Sequence, residues 1–198
     1  AVPSNDNYHI DQESLQDVEE ALDTINNRSH GLMRFVNSYR DFTQIPEPTF
    51  EIFEVKKLLR RVKNLNKGEA ENQNIEIDTK VDPESLEVTA DSHLIEQVLI
   101  NLTKNAFRAT KDVENPTIKL VGTFDDDCHV IIEVRDNGPG IKRENLQKIF
   151  IPFFSTSNPT SHGGSGIGLS LSRQIMRKHH GTLTVKYDKN GTVFSLRF

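Results

Sequence analysis

Residues 117–141 read TIKLVGTFDDDCHVIIEVRDNGPGI, and this stretch decides the fold class. TIKLVGTF and CHVIIEVRD are rich in β-branched residues and flank the acidic turn Asp125-Asp126-Asp127, which predicts two neighbouring strands. In the second strand Val130, Ile132 and Val134 share one face by the strand period of two, and Asp136 comes next on that face. A carboxylate is thus aimed inward at the end of an apolar row. Burying it requires hydrogen-bond donors, and the exocyclic amine of a nucleobase is one. Gly138 and Gly140 follow, so the backbone can turn tightly and approach a flat ligand. Taken alone, a plain Asp-Asn-Gly turn after a strand explains these residues equally well.

Just upstream lies EQVLINLTKNAFRAT (96–110), predicted as a helix from an N-cap at Asp91 to about Thr110. At about 100° per residue, Gln97, Asn101, Asn105 and Arg108 fall within roughly 80° of one another. Ile95, Val98, Leu99, Leu102, Ala106 and Ala109 occupy the neighbouring arc, which faces the core. Asparagine is a poor helix former because its amide competes for backbone hydrogen bonds. Two of them one turn apart suit the ligation of a hard cation such as Mg²⁺, with Arg108 meeting phosphate oxygens. An ordinary solvated face is the alternative for this helix by itself.

Downstream, HGGSGIGLSLSRQIM (162–176) places Gly163, Gly164, Gly166 and Gly168 at the start of a helix, where free N–H groups cradle phosphates. The run lacks the lysine of a Walker loop and does not follow a strand directly, so a Rossmann reading fails on context. The glycine-hinged stretch from Ser155 to Gly166 reads as a lid over a nucleotide.

Around this centre, IEIDTKV and LEVTA read as strands, and FEIFEVKKLLRRVKNLNK reads as a strand entering an amphipathic helix. ENLQKIF reads as a short helix, GLSLSRQIMRKHHG as a helix closing at Gly181, and TLTVKYDKNGTVFSLRF as a hairpin turning at Asn190-Gly191. Helices and mostly antiparallel strands come in blocks, which predicts an α+β two-layer sandwich. Ahead of it, Leu15, Val18, Leu22, Ile25, Ser29, Leu32, Val36 and Tyr39 alternate spacings of three and four along one helical seam, stopped by Pro46 and Pro48. Such a seam needs partners, either another helix or a fold back onto its own domain. The expected organisation is a bundle helix over residues 1–45 and a domain over 49–198.

The net charge of −5 supplies no basic field for nucleic acid. Cys128 is the one cysteine, which excludes a disulfide framework and suits a reducing compartment. No run of residues is long and apolar enough to span a bilayer, so membrane contact would come through segments outside this chain.

In order and separation, these elements resemble the GHKL ATPase superfamily of gyrase, heat-shock chaperone ATPases, mismatch-repair ATPases and histidine kinases. The N box is Asn101-Leu-Thr-Lys-Asn105, and the glycine boxes are Asp136-Asn-Gly138-Pro-Gly140 and Gly164-Ser165-Gly166-Ile167-Gly168-Leu169. Ile149-Phe150-Ile-Pro152-Phe153-Phe154 resembles the phenylalanine box of sensor kinases, and SHGLMRFVNSYRDFTQIPEP resembles a bundle helix of nitrogen-regulation-type kinases. Hydrolytic members usually carry glutamate where this chain has Asn101, an amide that is no general base.

The resemblance implies a Bergerat-type ATP-binding fold with ATP and Mg²⁺ as cofactors. Asn105 would ligate the metal, Asn101 would assist around metal or phosphates, and Arg108 would contact phosphate. Asp136 would accept from the adenine amino group, Gly138 and Gly140 would line the base pocket, and Gly164, Gly166 and Gly168 would face the phosphates. Ile141, Phe150, Ser165, Ile167 and Leu169 would complete the nucleotide-binding set, with Phe150, Phe153 and Phe154 anchoring the lid or packing in the core. It also implies a cytoplasmic kinase domain of an inner-membrane-anchored sensor. That domain would pass the γ-phosphoryl group to a bundle histidine and then to a response regulator, and would dimerise through bundle helices. Two features depart from the pattern. Ser157 stands where lysine is frequent, leaving Lys104 or Arg173 as substitutes. Neither His9-Ile-Asp nor His30-Gly-Leu matches a phosphoacceptor, and His93, His129, His162, His179 and His180 read as surface or core residues. A hydrolase coupled to conformational change and a degenerate nucleotide sensor are the rival readings.

Overall fold

The computed structural model describes residues 12–155, 166–188 and 191–198. It divides into two units, at Arg40 and Asp41. The first is carried by α1 (Gln12–Thr43), which runs unbroken through Gly31 and ends three residues before Pro46. Its seam residues Leu15, Val18, Leu22, Ile25, Leu32 and Val36 are exposed; the side chain of Tyr39 lies outside the described residues.

The second unit follows the sequence pattern closely. β1 (Glu51–Glu54) pairs antiparallel with β3 (Glu87–Ala90) in a two-stranded sheet. A five-stranded sheet runs in the order β2 (Glu76–Val81), β4 (Thr117–Phe124), β5 (Val130–Asp136), β7 (Gly191–Arg197), β6 (Thr182–Asp188). Only β2 and β4 are parallel; the remaining pairs are antiparallel. One sheet face presents Ile118, Leu120, Ile132, Val134, Phe194 and Leu196, all buried. The other is polar: Glu133 accepts from Arg135 Nε at 2.7 Å and from Ser195 Oγ at 2.9 Å. The expected two-layer α+β sandwich is therefore present.

Three helices cover the apolar face. α2 (Val55–Leu65) buries Val55, Leu58, Leu59 and Val62, at the i, i+3, i+4, i+7 spacing of one helical stripe. α4 (Ser92–Thr110) buries Leu94, Ile95, Val98, Leu99, Leu102, Ala106 and Phe107. Each large apolar side chain so buried contributes roughly 1.5–3 kcal/mol. That outweighs the loss of roughly 0.7 kcal/mol or less for each asparagine the helix carries. α5 (Gly168–Lys178) adds Ile175 and Met176.

Three local features differ from the sequence expectation. A seven-residue helix, α3 (Lys67–Gln73), follows α2 where no pattern marked one; only its Ala70 is buried. ENLQKIF forms a 3₁₀ turn (Arg143–Asn145) and further tight turns instead of a helix, with Lys148 N–H bonding Asn145 O and Ile151 N–H bonding Lys148 O. Pro152 offers no N–H and disfavours helical geometry in the residue before it. α5 ends at Lys178, and the left-handed residue of its C-terminal cap is His180 (φ 57), not Gly181. His180 N–H bonds Arg177 O at 3.0 Å and Gly181 N–H bonds Met176 O at 2.9 Å, a Schellman arrangement. Gly181 is needed for another reason: a Cβ there would sit 2.5 Å from Arg197 O.

Among the described residues no helix is long and apolar enough to cross a membrane.

Candidate nucleotide site

α4 begins at an Asp91 cap whose Oδ1 accepts from His93 N–H and Leu94 N–H, both at 3.0 Å, while Oδ2 accepts from Thr49 N–H at 2.9 Å. Burial raises this carboxyl, but the three N–H donors pull it down further, leaving its pKa below the ordinary 3.8. The cap fixes where α4 starts, and hence where its polar stripe lies. On that stripe Gln97 is exposed, Asn101 and Asn105 are half-buried and Arg108 is exposed. Asn105 Oδ1 accepts from Arg108 Nη1 at 3.3 Å. Asn101 points into the seam with α5, its Nδ2 donating to Ser172 Oγ at 3.0 Å.

Asp136 is 8% exposed at the end of β5, as the alternation predicts. Burial pushes its carboxyl up; bonds from Gly138 N–H and from the N–H and hydroxyl of Thr192 pull the other way without cancelling it. Gly138 N–H reaches Asp136 Oδ1 at 2.9 Å. A Cβ on Gly138 would meet Ala109 O at 2.8 Å, so only glycine lets this turn close onto the end of α4. Gly140 has φ 78 and Ile141 is half-buried beside the core.

The second glycine segment packs against the same helix. An added Cβ on Gly168 would fall 2.1 Å from Asn101 Oδ1. Gly166 has φ 71, and Phe153 N–H bonds Gly166 O at 2.9 Å. Among the described residues no side chain caps the N-terminus of α5, an end whose first N–H groups suit an anion. Ile167 is 1% exposed, so it packs into the core and leaves almost no surface for a ligand, and Leu169 is half-buried. Phe150 is half-buried beneath the Arg173 guanidinium, 5.0 Å from its ring centroid. That stacking occupies one of the two cations expected to replace a lysine at Ser157; the other, Lys104, is exposed. Residues 156–165, the part of the lid between Ser155 and Gly166 that holds Ser157, His162, Gly163, Gly164 and Ser165, fall outside the described residues, as do His9 and Asn190.

The structure thus brings Asn101, Asn105, Arg108, Asp136, Gly138 and Gly168 around one helix, with Gly166 held against Phe153. Two residues were missed by sequence reasoning. Thr192 lies directly across from Asp136 in the β5–β7 register, and Ser172 sits four residues into α5 beyond Gly168. Either required knowing which elements pair.

Amide oxygens are neutral, and two of them make a weak site for a dication alone. They fit Mg²⁺ held jointly with phosphate oxygens and water, its usual setting in nucleotide sites. A different group of ligand-type atoms, on Asp125, Asp127 and His129, lies within 4.8 Å of one another. Arg197 already occupies it: its Nε reaches Asp125 at 2.6 Å and its Nη2 reaches Asp127 at 3.2 Å and His129 Nδ1 at 2.9 Å. The guanidinium holds the Asp125 carboxyl at a pKa of about 2. A cavity of about 420 Å³ opens beside α2, α3 and β2, lined by Lys63, Lys67, Glu71 and Asn74, and contains none of the motif residues.

Residues 90–198 match the family model described as histidine kinase-, DNA gyrase B-, and HSP90-like ATPase. The chain is 29% identical over 174 residues to the sensor protein FixL of Bradyrhizobium diazoefficiens, covering 88% of this chain and 34% of FixL. It is 32% identical over 149 residues to sporulation kinase A of Bacillus subtilis, covering 75% of this chain and 23% of that protein. Among solved structures, the catalytic domain of histidine kinase ThkA matches with a TM-score of 0.67 at 36% identity, over 76% of this chain and 95% of that one. ThkA crystallised in complex with the response regulator TrrA matches with a TM-score of 0.72 at 32% identity, over 97% of this chain and 53% of that one. The chain spans about a third of the length of FixL and less than a quarter of sporulation kinase A.

Proposed function

The chain belongs to the family of histidine kinase-, DNA gyrase B- and HSP90-like ATPases, and from that footing we propose that it transfers the γ-phosphoryl group of ATP to a histidine on a bundle helix outside residues 1–198. Residues 49–198 form the catalytic domain in this reading, and residues 1–45 are one helix of the bundle. The observation that carries it is Asn101. The stripe of α4 consists of Gln97, Asn101, Asn105 and Arg108, with no carboxylate to take a proton from water. A site built this way retains ATP until a better nucleophile arrives.

The residues divide the work by position. Asp136, buried and already bonded by Gly138 and Thr192, has carboxylate lone pairs left to accept from the adenine amino group and so selects the base. Gly138, Gly140, Ile141 and Phe150 wall the base. Asn105, with Asn101, would hold Mg²⁺, which when bound neutralises phosphate charge. A cation beside Asn105 Oδ1 would repel Arg108, freeing its guanidinium to bind phosphate oxygens. The backbone from Gly164 to Leu169, at the uncapped start of α5, receives the remaining phosphate charge. Catalysis on this account is positioning and charge neutralisation, with the nucleophile supplied by the acceptor imidazole.

The exposed seam of α1 pairs with a second copy in this reading, and the transferred phosphate passes to a response-regulator aspartate. ThkA, whose solved complex holds a response regulator, supports that last step by similarity. Membrane attachment, if the full protein has it, comes from segments outside this chain. Calorimetry with ATP and Mg²⁺, paired with a steady-state phosphate-release assay, tests the proposal: binding with negligible turnover is expected. Sizeable turnover that vanishes in Asn105→Ala, with no phosphoprotein formed, would make the chain a hydrolase instead.

A further inference from the structure

The seam between α4 and α5 contains a contact that neither motif reading uses. Ser172 is 1% exposed, and its Oγ accepts from Asn101 Nδ2 at 3.0 Å across 71 residues of chain. The other end of the same amide lies on Gly168, where an added Cβ would come 2.1 Å from Asn101 Oδ1, 2.8 Å from Cγ and 3.0 Å from Nδ2. The amide is therefore held at both ends: nitrogen against Ser172, and oxygen over the first residue of α5. Gly168 permits this only because it has no side chain. Ser170, two residues earlier and on a different face of α5, makes a different bond, from its Oγ to Ile167 O at 2.7 Å.

The orientation matters because an amide has two chemically opposite ends. Its oxygen suits a hard cation or a water bound to one, and its NH₂ suits a phosphate oxygen. With the nitrogen engaged by Ser172, the oxygen is the end left beside the start of α5. We propose that Ser172 is a positioning residue that holds Asn101 with its amide oxygen toward the metal side of the nucleotide site. This rests on the reading of the chain as an ATP–Mg²⁺ domain. It goes beyond it in naming the side chain that orients Asn101 for that role. Ser172 acts only through Asn101, so its effect must vanish where Asn101 is absent.

The test uses the full 198-residue chain and two readouts. In the nucleotide-free protein, nuclear magnetic resonance follows the side-chain NH₂ of Asn101. Slowed proton exchange is expected in the wild type and in Ser170→Ala, and its loss in Ser172→Ala. Calorimetry then measures ATP affinity with Mg²⁺ and with EDTA, the ratio being the Mg²⁺ enhancement. Ser172→Ala is expected to cut that ratio by about 3- to 10-fold, the range set by one hydrogen bond, with affinity in EDTA changed less than about 2-fold. In Asn101→Ala the ratio is already low, and adding Ser172→Ala is expected to change nothing further. An unchanged ratio in Ser172→Ala overturns the proposal. So does an equal loss with and without Mg²⁺, which marks a merely structural residue, or an additive loss in the double variant. Absence of any ATP binding by the wild-type chain overturns the functional reading itself, whereas Mg²⁺-enhanced binding that survives Ser172→Ala overturns only the role of Ser172.

Discussion

His179 Nε2 accepts a hydrogen bond from the Asp91 backbone N–H at 3.0 Å, joining the end of α5 to the start of α4. The imidazole can do this because its Nδ1–H is given to Ile175 O at 2.8 Å, which leaves Nε2 as the acceptor. Phe50 packs edge-on against the same ring, centroids 5.4 Å apart, and Lys178 reaches Glu47 at 2.6 Å. The segment entering the second unit is thus fastened where α4 and α5 meet.

Replacing His179 by Phe keeps a ring against Phe50 but leaves the Asp91 N–H without its acceptor. A loss of about 1–3 kcal/mol in stability is expected, the usual penalty for an unpaired buried donor. Urea unfolding measures it; a loss under about 0.5 kcal/mol would show that the contact carries no weight.

Asp91 itself should be a pH-dependent cap. Its folded pKa is lowered below 3.8, so the stability it supplies is fully present above that value and disappears as pH falls through the folded pKa. Asp91→Ala is expected to cost about 1 kcal/mol near neutral pH, as for other caps. The gap between variant and wild type should close as unfolding is followed below pH 3.8. A gap constant down to strong acid would contradict the assignment.

Asp136 behaves in the opposite sense. Its folded pKa is raised, so its contribution to the stability of the nucleotide-free protein is greatest in acid and falls as pH rises through that pKa. Binding follows the other course, because the ionised carboxylate is the better acceptor for an adenine amine. ATP affinity should weaken as pH is lowered toward the raised pKa. Asp136→Asn should flatten that profile, weaken ATP by about 10-fold or more, and leave the fold intact at neutral pH. Calorimetry across pH decides it, and a variant with wild-type affinity would remove Asp136 from the base site.

Much of this site was legible because it depends on local periodicity. Asn101, Asn105 and Arg108 align at the helical spacing, and Asp136 extends an apolar row at the strand period. What could not be read were pairings between distant elements. Ser172 looks like any small residue on a helix until α5 is laid on α4, and Thr192 gains its meaning only from its register with Asp136. His179 was expected to be surface or core, and it is core, but its two bonds depend on where the helix ends. That end was misjudged because the left-handed position falls on His180 rather than on the glycine that normally marks it. ENLQKIF misled for a related reason. Its apolar residues have helical spacing, yet Pro152 and the packing of Ile149 set a series of tight turns.

The α1 seam yields a prediction about assembly. If Leu22 and Ile25, both exposed, lie between two copies, then Leu22→Lys with Ile25→Lys should convert a dimer to a monomer in light scattering. ATP binding should stay unchanged, since α4, β5 and α5 carry the site. A wild-type chain that is monomeric at high concentration would show that α1 needs a different partner.

The most direct test of the account is phosphate transfer. The full-length protein should be incubated with γ-labelled ATP and Mg²⁺, and the label assayed for acid lability. The account predicts an acid-labile, base-stable phosphohistidine that is lost in Asn105→Ala, while residues 1–198 alone bind ATP and remain unlabelled. ATP binding by this chain with no phosphohistidine on the full-length protein would contradict it.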